Sequence, residues 1–224
     1  MRRGKLVVLE GPEGVGKTTQ ATLLAQYLES IDVPHAVFRE PGGSAVGERV
    51  RAVVLDATLD VHPRAETLLF LAARAQLMHV VRSRLDLGEV VILDRFFLST
   101  YAYQVAGRGL PERAVREANA FATDGLVPDL TLLLAYPVGA GLERVDQRGA
   151  RDRMERAGID FHERVAAAFG RFLDDGWQRE HPETGHIETI DARGAVWEVS
   201  ERIISFLGEC WPETFRPGPW SESG

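Results

Sequence analysis

The sequence predicts a single α/β domain of three layers, helices on both faces of a mainly five-stranded parallel sheet. Three observations predict it. Apolar runs alternate with helical patterns from end to end, as strands joined by right-handed crossover helices require. Val90-Val91-Ile92-Leu93 is a continuous apolar run, as in a parallel strand buried on both faces. The first run, Leu6 to Leu9, leads through Glu10 into Gly11-Pro12-Glu13-Gly14-Val15-Gly16-Lys17-Thr18, which fits GxxxxGK[ST] between strand and helix.

That loop has a chemical reason for each residue type. Its glycines let successive backbone N–H groups turn inward as an anion nest, and the helix that follows adds its positive end. Lys17 would reach β- and γ-phosphates, and Thr18 would offer its hydroxyl to Mg²⁺, a cation that prefers oxygen ligands. Gly11 to Thr19 is therefore the expected cradle for a nucleoside triphosphate.

Of 224 residues, 33 are acidic and 26 basic, a net charge of −7 that disfavours a general nucleic-acid or anionic-membrane surface and favours small anions as partners. The single cysteine, Cys210, forms no internal disulfide and suits a reducing cytoplasm. The N-terminal apolar run is too short for a signal peptide or membrane span.

The helix after the loop, about residues 17 to 30, repeats Ala21, Leu24, Ala25 and Leu28 at i, i+3, i+4, i+7. A second strand around Ala36-Val37-Phe38 ends in Arg39-Glu40-Pro41-Gly42-Gly43, a loop at the strand's C-terminal end, where open parallel sheets bind ligands. Arg39 is there a candidate phosphate contact, and on the residues alone equally a solvated arginine. Ser44 can cap the next helix, with Val46, Val50 and Val53 expected inward and Arg49 and Arg51 on other faces. A long helix is expected from 63 to about 87, its Leu68–Leu77 stretch largely buried. Phe70 and Arg74 are i, i+4 within it; by themselves they read as a core phenylalanine beside a snorkelling arginine, a preference that a planar ligand would reverse.

Asp94 closes the Val90 strand at the edge where P-loop enzymes keep the acid for Mg²⁺, and Arg95 follows as a possible bidentate phosphate clamp. The next helix brings Ser99 and Tyr103 to one face with Gln104 adjacent, before Gly107-Arg108-Gly109 breaks it. Further on come a helix from Pro111 to about Asp124, a fourth strand at Leu130–Leu134, an amphipathic helix ending near Trp177, a fifth strand near Ile187 and a last helix to about Cys210. Before that amphipathic helix, Arg144, Arg148, Arg151, Arg153 and Arg156 are interleaved with acids. Such a segment is ordinarily a surface helix laced with i, i+4 pairs. Next to a phosphate loop, it can also be an arginine-bearing lid, about 144–157, that covers the moving phosphoryl group. Residues 1–210 thus form one domain, and 211–224 an irregular tail to which no function is assigned.

GPEGVGKTTQ, REPGG, LLFLAARAQL, LDRF, STYAYQVAGRG, PDLTLLL and the arginine-rich segment, in this order over roughly residues 4 to 207, resemble the bacterial type of the thymidylate kinase family. The resemblance implies a nucleoside monophosphate kinase-like P-loop fold, ATP and Mg²⁺ as cofactors, dTMP as acceptor and a cytoplasmic homodimer. Residue by residue, it implies that Phe70 stacks on thymine, with Arg74 and Gln104 on its polar edge. Arg39, Arg51 and Arg95 hold the dTMP phosphate, Tyr103 lies under the deoxyribose, Ser99 adjoins, and Pro41 follows a cis peptide bond. Thr18 and Asp94 hold the metal. Lys17, Arg95 and Glu13 are implied in catalysis. In part of the family an arginine stands where Gly14 stands here, so the charge must come from the lid, through Arg148 and Arg153 first and Arg144 and Arg151 beside them.

This sequence departs from the family at Phe96, commonly tyrosine, and at Ala135-Tyr136, commonly an acidic or amide residue. The nearest rival is another small P-loop kinase for a different monophosphate or a deoxynucleoside, although a nucleoside kinase has no need of the acceptor-side arginines. A GTPase would need an NKxD motif, and the only asparagine, Asn119, sits in Asn-Ala-Phe-Ala.

Overall fold

A computed structural model describes residues 3–136 and 152–216. Five parallel strands, β1 (Leu6–Glu10), β2 (His35–Arg39), β3 (Val90–Asp94), β4 (Leu130–Ala135) and β5 (Ile187–Asp191), form one sheet in the order β2-β3-β1-β4-β5. Around it, among the described residues, lie α1 (Lys17–Ser30), α2 (Ala45–Leu55), α3 (Pro63–Asp86), α4 (Phe97–Thr100), a π-helix (Tyr101–Gly107), α5 (Glu112–Thr123), α6 (Ile159–Arg171), α7 (Asp175–Glu180) and α8 (Val196–Cys210). The sequence expectation of one helix ending near Trp177 is corrected: α6 stops at Arg171, and Asp174 caps a separate α7 by accepting from the Trp177 N–H at 2.8 Å.

Strand side chains alternate between two cores. Leu6, Val8, Val91 and Leu93 face α3, α4, the π-helix and α6, while Val7, Leu9, Ile92, Leu132 and Leu134 face α1 and α8. Because β1, β3 and most of β4 are buried on both faces, the sheet is the middle layer of the expected three. The register puts Leu9 level with Asp94 and Asp94 level with Arg39, so the strand ends that carry function finish together.

Two helix faces differ from the expectation. On α2, Val46 is 50% and Val53 42% exposed, and Val50 is half-buried. The inward stripe is instead Gly47, Arg51 and Val54 at i, i+4, i+7, because the helix start lies so close to the preceding loop that a Cβ on Gly47 would come 2.5 Å from the Gly42 carbonyl. That rotation turns Arg51 toward the strand ends. On α3, Leu68 is 63% exposed and Ala72, Ala75 and Gln76 are also on the surface; the buried stripe runs through Glu66, Thr67, Leu71, Arg74, Leu77 and Met78. An apolar composition around the helix was not enough to bury it where only one side meets the sheet.

Residues 211–216 hold no helix or strand, yet they are packed: Phe215 is 1% exposed within the α1–α8 core and the Tyr27 hydroxyl donates to the Arg216 carbonyl. No described helix is long and apolar enough to cross a membrane.

Candidate active site

At the C-terminal ends of β1, β2 and β3 a cavity of about 490 Å³ opens, lined from the loop after β1, the loop after β2, α2, α3, β3, α4, the π-helix and residues 152–155. The loop after β1 wraps its start. Gly11 has φ 141, and a Cβ there would come 2.8 Å from the Leu134 carbonyl. Gly16, in left-handed conformation, delivers the chain into α1 with its first N–H groups unpaired by any side-chain cap. Val15 anchors the loop in the core.

Lys17 donates to the Gly11 carbonyl at 2.9 Å and the Pro12 carbonyl at 2.6 Å, inside the loop it belongs to. Burial, then the charge of Arg95, pulls its pKa down to about 7 against the opposing pull of Asp94, Glu10 and Glu13. Thr18 and Asp94 meet across the strand ends, Oγ1 to Oδ2 at 2.5 Å, and Asp94 Oδ1 is buried with no hydrogen-bond partner among the described residues. A hydroxyl beside a carboxylate with an unused oxygen is a donor set that fits a hard cation keeping several waters. No group of three His, Cys, Asp or Glu among the described residues offers a metal cage of its own.

Opposite, Arg39, Arg51 and Arg95 converge. Arg39 is half exposed and pairs with Glu48 at 3.1 Å. Arg51 donates to the Pro41 carbonyl at 3.0 Å, and Glu40–Pro41 is cis, as expected. Burial, and then Arg39, lowers the Arg51 pKa, with Arg95 contributing in the same direction. Arg95 has φ 74, uncommon for a side chain bearing a Cβ. Its guanidinium lies over the Tyr103 ring at 5.2 Å and donates to the Ser99 hydroxyl at 3.0 Å. Burial opposes its charge, but Tyr103, Asp94, Glu13 and Glu10 outweigh burial and hold its pKa above the usual value. The Tyr103 hydroxyl in turn donates to Glu13 at 3.2 Å, whose other oxygen is buried without a partner among the described residues.

Every residue expected on the acceptor side lines this cavity: Arg39, Pro41, Arg51, Phe70, Arg74, Arg95, Ser99, Tyr103 and Gln104. So do Glu13, Gly14, Gly16, Lys17, Thr18, Thr19 and Asp94, whereas Gly11, Pro12 and Val15 shape the loop from behind.

Two residues stand differently from the expectation. Arg74 has all five of its N–H donors engaged inside the protein: with Glu40 through Nε and Nη2, with Thr100 at 2.8 Å and Asn119 at 2.6 Å through Nη1, and with the Phe96 carbonyl at 2.9 Å. It is a wall of the cavity, not a loose donor. Arg153 is outside the lining; it pairs with Glu66 at 2.7 Å and donates to the Val54 carbonyl at 2.8 Å, which ties residue 153 to α2 and α3. Arg144, Arg148 and Arg151 lie outside the described residues.

Sequence reasoning passed over Glu10, Glu40 and Glu66, all buried. The available signal was a carboxylate placed at the end of an apolar strand, before a proline, or on the inner stripe of a helix, where only a partnered acid is tolerated. Phe96 is fully buried with the Arg74 guanidinium 4.8 Å from its ring, so the departure from tyrosine falls within packed structure.

The thymidylate kinase family model matches residues 9–203. Among curated relatives, a thymidylate kinase of Carboxydothermus hydrogenoformans is 48% identical over 92% of this chain and 97% of its own. One from Deinococcus radiodurans is 46% identical over 93% and 98%, and one from Thermosynechococcus vestitus 42% identical over 95% and 92%.

Arg74→Ala would leave Glu40 buried beside an unpaired Asn119 carbonyl, and urea denaturation is expected to show a loss of about 3–5 kcal/mol; a loss below 1 kcal/mol would contradict the closed network. A bound triphosphate favours charged Lys17, so its pKa must rise from about 7 on binding. Above pH 7 binding therefore takes up a proton. Calorimetry at pH 8 in buffers of different ionisation enthalpy is expected to show uptake approaching one proton, lost in Lys17→Met and small at pH 6. No uptake at pH 8 would mean that the empty cavity already holds the ammonium charged.

Proposed function

The chain belongs to the thymidylate kinase family, and from that premise we infer how its cavity carries the ATP-dependent phosphorylation of dTMP to dTDP. One observation carries the reading: a single cavity joins a triphosphate cradle, Lys17 with Thr18, to a second cationic cluster, Arg39, Arg51 and Arg95. A kinase whose acceptor already bears a phosphate needs both. A deoxynucleoside kinase needs only the first.

ATP lies along the loop from Gly11 to Thr19, its phosphates on the inward N–H groups and the start of α1, with Lys17 leaving the Gly11 and Pro12 carbonyls to meet the β- and γ-oxygens. Thr18 and Asp94 would hold Mg²⁺, which when bound draws charge from those oxygens. The dTMP phosphate sits on Arg39, Arg51 and Arg95, thymine packs on Phe70 with Gln104 at its edge, and Tyr103 lies beneath the deoxyribose with Glu13 on its hydroxyl. A phosphate oxygen of dTMP attacks the γ-phosphorus in line, the bond from γ to the β,γ-bridging oxygen breaks, and ADP departs. An acceptor phosphate is largely ionised at neutral pH, so no general base is nominated. The arginines offset repulsion between the two anions, and Lys17 stabilises the charge that moves onto the leaving oxygen.

With Gly14 uncharged, cations for the moving phosphoryl come from Arg148, flanked by Arg144 and Arg151, while Arg153 holds the base of the lid on Glu66. We take the molecule to be a cytoplasmic homodimer. Support comes from Val46 and Val53 of α2, Leu68 of α3 and Phe121 of α5, apolar side chains exposed on helices that pack against one another.

An ADP-release assay across dTMP, dUMP, UMP, CMP, GMP and thymidine is expected to give the highest kcat/KM for dTMP, with kcat falling about 100-fold or more in Lys17→Ala. Preference for another acceptor, or near-normal turnover of the variant, would overturn the assignment. Light scattering at micromolar concentration is expected to give twice the chain mass, and a single-chain mass would remove the dimer.

A further inference from the structure

Glu66 is wholly buried on the inner stripe of α3, one turn before Phe70, and three side chains converge on it. Its Oε2 accepts from Arg108 Nη2 at 2.8 Å and lies 2.7 Å from Arg153 Nη1. Its Oε1 accepts from Arg108 Nε at 3.1 Å and from Gln104 Nε2 at 3.2 Å. A carboxylate gripped by two guanidinium groups only accepts hydrogen bonds. The end of the Gln104 amide that meets it must therefore be the NH₂ end. No other contact is needed to set this orientation, and it follows from charge.

Gln104 is 4% exposed and lines the cavity beside Phe70. With one N–H of Nε2 committed to Glu66, the amide is fixed in orientation and turns its carbonyl, an acceptor, away from Glu66 with its second N–H beside it. Arg74, the neighbouring polar side chain on that wall, has all its donors spent. We propose that Glu66 is the specificity-determining positioning residue of this enzyme: by holding the Gln104 amide in one orientation, it makes the pocket accept a pyrimidine with a ring N–H and reject one without. Thymine carries that donor at N3. Cytosine presents a lone pair at the same position, and two acceptors facing each other in a buried site are repelled and unsatisfied.

The geometry also says what Glu66→Gln would do. Oε2 meets two guanidinium groups and Oε1 only the Nε of Arg108, so the oxygen of the new amide stays on the Oε2 side and its NH₂ group takes the place of Oε1, where Arg108 Nε loses its acceptor. Gln104 then faces a donor, turns its carbonyl toward it, and presents its own NH₂ to the base. The preferred pyrimidine edge inverts from donor to acceptor.

This inference rests on the dTMP kinase reading, and wild-type kcat/KM for dTMP and dCMP is measured first so that the two can fail separately. A wild type that does not prefer dTMP would overturn the function itself. Given that preference, Glu66→Gln is expected to lower the ratio of kcat/KM for dTMP over dCMP by about 10-fold or more, through a higher KM for dTMP and new turnover of dCMP. Gln104→Met leaves Glu66 and both arginines paired and removes the reader itself; it is expected to lower the same ratio, and the double variant to lower it no further than Gln104→Met alone. A merely structural Glu66 would reduce both substrates together, so a ratio unchanged within twofold in Glu66→Gln overturns the proposal. Should Glu66→Gln not fold, an unchanged ratio in Gln104→Met does the same.

Discussion

The site depends on one buried carboxylate. Glu10 ends the central strand with no exposed surface, and its Oε1 accepts from the backbone N–H of Phe96 at 2.7 Å and of Ser99 at 3.0 Å, while Oε2 accepts from the Ser99 hydroxyl at 2.7 Å. It caps α4 from a different strand, a role that usually falls to the residue just before a helix. Phe96, which occupies that position, has no side chain able to do it. The loop that cradles phosphate begins one residue after Glu10, and Arg95 stands one residue before the first N–H that Glu10 holds. Donor and acceptor halves of the cavity are thereby set from one point. The left-handed backbone of Arg95, costing of the order of 1–3 kcal/mol, is tolerated because the N–H groups of Arg95 and Phe96 are pinned, to Leu9 and to Glu10.

A chain of net charge −7 gathers Lys17, Arg39, Arg51 and Arg95 around one cavity, and that concentration is sustained by acids in and beneath its wall. Asp94, Glu10 and Glu13 work against the loss of Lys17's charge and hold Arg95's. Glu48, by contrast, is exposed and grips Arg39 with the Gly43 N–H, which keeps that carboxyl below its ordinary range and gives Arg39 a resting partner. The hydrogen-bond and ring contacts of Arg51 and Arg95 are with carbonyls, a hydroxyl and a ring, which leaves their charge for an anion in the cavity. Such a field is ready before the ligand arrives, which is where electrostatic catalysis gains most over water.

Much of this was legible in the residues. Continuous apolar runs and the GxxxxGK[ST] pattern announced the strands and the cradle, because both depend on local chemistry. The acceptor residues were found through the family resemblance, and all of them line the cavity. What could not be read was rotation. Val46, Val50 and Val53 looked like an inner face until the approach of Gly47 to Gly42 decided which side of α2 turns inward against α3. The state of Arg74 was equally hidden, since Glu40, Thr100 and Asn119 come from three distant stretches of chain and no spacing rule unites them. Buried acids such as Glu10 and Glu66 carried a signal, a charge on an apolar stripe, but a solvated helix face gives the same letters.

The π-helix from Tyr101 to Gly107 carries both Tyr103 and Gln104, and its N–H groups reach back five residues where an α-helix reaches four. In evolutionary terms it holds one residue more than the turn requires. Deleting a single codon within it would let the segment relax to an α-helix, and because the wide turn already absorbs the extra residue, the chain on either side would keep its facing while the residues inside the turn changed theirs. The residues affected would be those around Tyr103 and Gln104, which line the acceptor side of the cavity. The acceptor pocket of this chain is therefore open to revision by a change of length in one segment that lies outside the strands and the phosphate loop.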